Sequence, residues 1–226
     1  MLKDPLLAAK LGFFHGMANH LEKFLVPFQS DNPLVPFLYQ ELFNLTKSLL
    51  KRIVKKEVYD KIEDSRDLFK LDLESTKVVM DPKDIDIFNS AKAGLKSARS
   101  KLNAKMITEF RFQCLYFIRG TISKLLERSP LKYPITKAMS CLSPSIMLNN
   151  SVSRLDNCIS YFMDLDLVND IEGDQIKEDY VAIKENKNTR RMLEAFDSKV
   201  DRLDELSNVK IKSKISLSHY FTKFVI

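Results

Sequence analysis

Paired carboxylates are the residues of this sequence whose type and spacing come closest to chemistry. Asp84 and Asp86 stand two apart, as do Asp164 and Asp166, and a short acidic run comprises Asp170, Glu172 and Asp174. On a strand, residues two apart share a face, so Asp84 and Asp86 could bind Mg²⁺. Since no third ligand stands near either pair, solvated turn residues are the favoured interpretation. A metal-dependent nuclease remnant using Asp84, Asp86 or Asp164 is the weakest alternative.

The other motifs of catalysis and cofactor binding are missing from the sequence. His15 and His20 are five apart, whereas zinc-binding pairs on a helix are four apart. There is no Cys-x-x-Cys, no glycine-rich phosphate loop and no G-x-S-x-G nucleophile motif. We therefore predict no catalytic residue, no metal site, no cofactor and no small-molecule substrate.

Basic residues form two clusters that could contact DNA phosphates. The chain has 36 Lys and Arg against 30 Asp and Glu, a net charge of +6. The candidate contacts are Lys47, Lys51, Arg52, Lys55, Lys56, Lys92, Lys96, Arg99 and Lys101. Such clusters neutralise phosphates in a salt-dependent way, but ordinary solvated helix faces have the same composition. The aromatic residues lie on apolar stripes, which favours a core role over base stacking.

The composition is that of a helical globular protein. Among 226 residues, 45% are hydrophobic, 29% are charged and only 5 are glycine. The three cysteines are odd in number and far apart, which favours a reducing, intracellular compartment. Cys114 and Cys158 fall on apolar helix faces, which favours buried thiols at these two positions. No run of about 18 apolar residues predicts a membrane span, and we expect no secretory signal at the N-terminus.

The predicted elements are mainly helices. Asp4-Pro5 precedes a first helix that should end near residues 23–26, and a second helix follows Val35-Pro36. A short loop between them predicts an antiparallel hairpin. A short basic helix spans 90–102, and Ala104 to Arg128 is the strongest helix, with two apolar stripes that predict a central position in a bundle.

Further elements complete an all-α prediction. Pro130 and Pro134 bracket a kinked turn, and Ser143-Pro144 opens another helix. Later helices carry Ile159 and Tyr180, and a last long helix runs from Leu193 to Leu206. We predict an irregular bundle of about 7–9 helices, with minor extended segments near 70–88 and 208–218. The domain prediction is 1–190 for the helical domain and 191–226 for a C-terminal helix and tail.

Two segments of the sequence resemble a known family. The residues Arg128 to Pro134, RSPLKYP, are the most specific part of this resemblance, and Phe13 to Val54 and Glu127 to Met147 carry the rest. In this order they resemble domesticated or degenerate hAT-superfamily transposase-like proteins. The resemblance extends from about Leu6 to Ile183 and concerns the all-helical insertion of those proteins.

The resemblance implies an architecture and a non-catalytic role. In hAT transposases an all-α insertion interrupts an RNase H-like core, and the catalytic aspartates and glutamate flank it. We therefore expect no catalytic residue in this chain and no enzyme activity. The insertion takes part in oligomer contacts and DNA handling, which implies assembly, contact with DNA and a nuclear location. A stand-alone protein–protein scaffold with an exposed apolar groove is the alternative hypothesis.

Overall fold

The computed structural model describes residues 4–149, 153–198 and 201–203, and this part of the chain is all-α, as predicted. Its helices are α1 Leu7–Leu25, α2 Val35–Leu50, α3 Lys56–Tyr59, α4 Ser65–Phe69, α5 Asn89–Ser97, α6 Ala104–Arg128, α7 Pro134–Ala138, α8 Pro144–Leu148, α9 Ser153–Asp164, α10 Asp170–Glu185 and α11 Lys187–Ala195. Four 3₁₀ helices join them, at Pro27–Gln29, Arg99–Lys101, Pro130–Lys132 and Met139–Leu142. No helix within these ranges combines the length and apolar character needed to cross a bilayer.

The described residues divide into two compact units. Unit 1 contains residues 4–26 and 42–132, and unit 2 contains residues 27–41 and 133–203. Helix α2 therefore contributes residues to both units. The predicted domain boundary at residue 190 stays a prediction.

In unit 1, glycines let α1 and α5 pack closely. A Cβ at Gly94 would lie 2.5 Å from Ala9 N, and a Cβ at Gly12 would lie 2.6 Å from the carbonyl carbon of Ser90. The Ser90 hydroxyl donates a 2.6 Å hydrogen bond to the Gly12 carbonyl. The predicted hairpin of the first two helices is wrong, because the glycine-lined face of α1 pairs with α5.

Helix α6 has the predicted bounds, but only one of its faces is buried. Asn103 Oδ1 accepts a hydrogen bond from Met106 N at 2.8 Å, and the helix ends before Pro130. The buried face comprises Phe110, Cys114, Leu115, Ile118 and Ile122. The expectation that α6 is covered on two sides is wrong, since Phe112 and Tyr116 are 59% and 68% exposed.

The segment near 70–88 forms turns and no strand. Its one antiparallel bridge joins Val79 to Val54, and Met80 N donates to Ile53 O at 2.8 Å. Asp81 then turns the chain, because its carboxylate accepts a hydrogen bond from Lys83 N at 3.0 Å. The extended segment predicted near 208–218 lies outside the described residues.

Unit 2 packs α7 to α11 around its own core. Residues from Ala138 to Leu203 form one buried cluster that includes Cys141 and Cys158, and the Tyr180 hydroxyl donates to Cys141 O at 2.9 Å. All three cysteines are free and buried, which confirms the prediction of buried thiols at Cys114 and Cys158. The helix predicted from Leu193 to Leu206 is interrupted: α11 ends at Ala195, because Phe196 is extended and its ring stacks on Phe37. Residues 199–200 and 204–206 of that prediction lie outside the described residues.

Candidate nucleic-acid interface

The two predicted basic clusters meet at one carboxylate in unit 1. Arg52 Nη1 donates to Asp86 Oδ2 at 2.5 Å, and Lys92 Nζ lies 2.7 Å from Asp86 Oδ1. Arg52 follows α2 and Lys92 lies in the first turn of α5, so the fold joins cations that are far apart in sequence. We call this arrangement the Asp86 bridge.

Backbone hydrogen bonds explain why Asp86 lies beside the end of α2. Lys55 N donates to Val78 O at 3.0 Å, and Asp86 N donates to Arg52 O at 2.9 Å. The returning loop is therefore attached to residues 52–55 by its main chain. This attachment places the Asp86 carboxylate next to the Arg52 side chain.

An aromatic ring holds the Arg52 guanidinium in place. Arg52 Cζ lies 3.6 Å from the centroid of the Phe88 ring, a close cation–π stack. Phe88 has a positive φ of 68°, and a Cβ at Gly16 would lie 2.5 Å from its ring. Glycine at position 16 therefore makes room for the ring, and the ring orients Arg52.

A cleft of about 630 Å³ lies beside the Asp86 bridge. Its lining consists of His20, Asn44, Lys47, Ser48, Lys51, Arg52, Tyr59 and Asp86, and we call it the basic cleft. His20 Nε2 lies 2.7 Å from Ser48 Oγ. Burial lowers the pKa of His20, and the charges of Arg52 and Lys23 lower it further. His20 therefore lies partly buried and close to positive charges.

Asp86 stays ionised in this cleft. Burial by itself would raise the pKa of the carboxyl group, but the hydrogen bond from Lys92 and the charges of Arg52 and Lys92 outweigh it. The pKa of Asp86 is therefore below its usual value of 3.8. Two cations at this distance oppose binding of a divalent metal ion to the same carboxylate.

The remaining predicted cations fall into two groups. Lys47 donates to Ile62 O at 2.6 Å and Lys55 donates to Thr76 O at 2.7 Å, so both bind the protein's own backbone. The exposed group comprises Lys51, Lys56, Lys96, Arg99 and Lys101. Of these, Lys51 lines the basic cleft, whereas the other four do not.

A second surface of unit 1 is apolar. A groove of about 960 Å³ lies along α1 and α6, with Phe13, Phe14, Phe112, Tyr116 and Phe117 in its lining. The Phe14 and Phe117 rings meet edge to face, with centroids 5.2 Å apart. Lys105 and Glu109 stand on its rim, and neither has an ion pair within the described part of the chain. We call this surface the apolar groove.

Sequence reasoning missed parts of both surfaces. His20 was considered only as a metal ligand, and Asp86 only as half of a carboxylate pair, while Asp84 is exposed on the loop. Among the described residues, no three His, Cys, Asp or Glu side chains are grouped so as to hold a metal ion. The four-residue spacing of Gly12 and Gly16 was the available signal for a close helix contact.

Comparisons with protein-family models, curated proteins and solved structures found no match to this chain. The fold and the two surfaces are therefore interpreted from their own geometry.

Proposed function

We propose that this chain is a non-catalytic helical interaction domain that contacts duplex DNA through the basic cleft. The supporting observation is the convergence of the clusters after α2 and in α5: Arg52 and Lys92 both bind the Asp86 carboxylate, and Lys51 lines the same cleft as Asp86. Cations gathered on one face release counterions when they meet the phosphate backbone, which is the main source of sequence-independent affinity.

The resemblance to hAT-superfamily proteins supports the same proposal. The helical insertion of those proteins takes part in assembly and DNA handling, and this chain is all-α over its described residues. A transposon-derived origin and a nuclear location belong to the proposal and rest on that resemblance. The absence of catalysis also rests on it, because the family's catalytic acids flank the insertion.

A salt series on DNA binding tests this function. Fluorescence anisotropy with a labelled duplex of about 20 base pairs, from about 50 to 200 mM salt, should show affinity falling steeply with salt. The variant K51Q/K92Q should lower the slope of log affinity against log salt by about one per lysine. K77Q/K83Q is the matched control, because it removes two exposed lysines of unit 1 that neither line the basic cleft, as Lys51 does, nor pair with Asp86, as Lys92 does. Lack of binding at the lowest salt would reject the function.

The apolar groove favours a second candidate function, self-association of two copies of this chain. Phe112 and Tyr116 project from α6 beside the groove, so one surface supplies both aromatic side chains and a depression to receive them. Lys105 and Glu109 on the rim have opposite charges, so across a two-fold axis each can face the other residue of the second copy. Analytical ultracentrifugation over a concentration series should show a monomer–dimer equilibrium, and a monomer at every concentration would reject this candidate.

A further inference from the structure

The donors around Asp86 are those that also bind phosphate oxygens. Its two carboxylate oxygens are contacted by Arg52 and Lys92, and the backbone N–H of Phe88 donates a further hydrogen bond. Guanidinium, ammonium and a main-chain amide at the start of α5 together form a common anion-binding set. A carboxylate and a phosphate group satisfy such a set in the same way.

The geometry allows another anion to replace the Asp86 carboxylate beside Arg52. The Asp86 side chain is 44% exposed, whereas the Arg52 side chain is only 19% exposed. Stacking on Phe88 holds Arg52 independently of Asp86, so the cation would keep its place if the carboxylate rotated away.

We propose that Arg52 and Lys92 form a phosphate-binding position that the Asp86 carboxylate occupies in the unbound protein. This inference rests on the proposed function, because a backbone phosphate of DNA is the group expected to displace Asp86. His20 and Lys51 line the cleft that contains Arg52 and Asp86. The carboxylate lowers the affinity for DNA by competing for the same two cations.

The substitution D86N tests the competition directly. Asparagine keeps the shape of the side chain and an oxygen for the Phe88 amide, but it removes the negative charge. We expect D86N to bind the labelled duplex roughly tenfold more tightly than the wild type at about 50 mM salt. D84N is the matched control, since it removes the same charge from an exposed residue two positions away that does not line the basic cleft. Its affinity should rise by no more than about twofold, because solvent screens an exposed charge.

The outcomes separate the inference from the function. Equal affinities of D86N and D84N, with clear binding by the wild type, overturn the phosphate position and leave the DNA proposal standing. No binding by wild type or D86N at low salt overturns both.

A second measurement covers the case in which D86N fails to fold, as judged by circular dichroism. In the wild type, NMR titration of the His20 imidazole should show a higher pKa with the duplex than without it, because phosphate charge enters the cleft. An unchanged pKa of His20 in the presence of saturating duplex overturns the inference.

Discussion

The basic cleft and the apolar groove both use residues of α1, yet their side chains are held in opposite ways. In the cleft, Arg52 is fixed by the Phe88 ring and by Asp86, and Lys47 is fixed by a backbone carbonyl. In the groove, Phe112 and Tyr116 extend more than half of their surface into solvent. Arg52 and Lys47 therefore already have partners in the free protein, whereas most of the surface of the two aromatic side chains is in water.

This difference separates the two proposed interactions by their response to salt. Binding of exposed cations to a polyanion is driven mainly by the release of counterions, so added salt weakens that binding. Burial of apolar surface stabilises a complex by about 25 cal/mol per Å², and this favourable free energy does not decrease as salt rises. A single salt series can therefore assign an interaction to one surface or the other.

The largest expected effect comes from a change that damages both surfaces. G94A places a Cβ within 2.7 Å of three backbone atoms of α1, so α1 and α5 must separate. We expect the free energy of unfolding to fall by about 2 kcal/mol, as for other overpacked contacts. DNA binding and self-association should both weaken, because α1 supplies His20 to the cleft and Phe14 to the groove. Urea denaturation measures the change in stability.

G120A is the matched control for G94A. A Cβ at Gly120 has no neighbouring atom within 4 Å, and the residue lies inside α6. Alanine is better than glycine in a helix by up to about 1 kcal/mol, so this variant should be slightly more stable than the wild type. A loss of stability in G120A similar to that in G94A would show that the close α1–α5 contact is not the cause.

A smaller effect should follow from changing the groove alone. F112S/Y116S removes the two most exposed aromatic side chains of α6 and should abolish the concentration-dependent dimer. Stability should change by less than about 0.5 kcal/mol per site, since both residues are largely in solvent. Ultracentrifugation measures the dimer, and Y161S, which removes an exposed tyrosine of unit 2, is the control. A dimer that persists in F112S/Y116S would exclude the groove as the interface.

The sequence predicted the bounds of the helices better than it predicted which segments pack together. The apolar periodicity and Pro130 indicated the bounds of α6 because they depend on local chemistry. The same periodicity could not show that Phe112 and Tyr116 are exposed, because an apolar stripe looks alike whether core or solvent covers it. The Asp86 bridge also could not be predicted, since it depends on which segment the loop near 78–86 attaches to.

The smallest expected effect concerns pH and the cleft alone. The pKa of His20 is lowered in the folded protein, mainly by burial and then by Arg52 and Lys23, so the unfolded chain binds its proton more readily. Neutral His20 therefore favours folding at pH values above its unfolded pKa of about 6.5, and this contribution is lost as the pH falls below that value. We expect the free energy of unfolding to rise between about pH 5.5 and pH 7.5, and to rise less in H20Q.

Urea denaturation at a series of pH values measures this slope. H15Q removes an exposed imidazole from the same helix and is the matched control. An equal change of slope in H20Q and H15Q would contradict the assignment to the cleft. If the slope decreases in H20Q alone, burial of His20 in the cleft, together with the charges of Arg52 and Lys23, lowers its pKa in the free protein. That pH response would distinguish the cleft from the groove, where apolar contact and not charge is expected to decide binding.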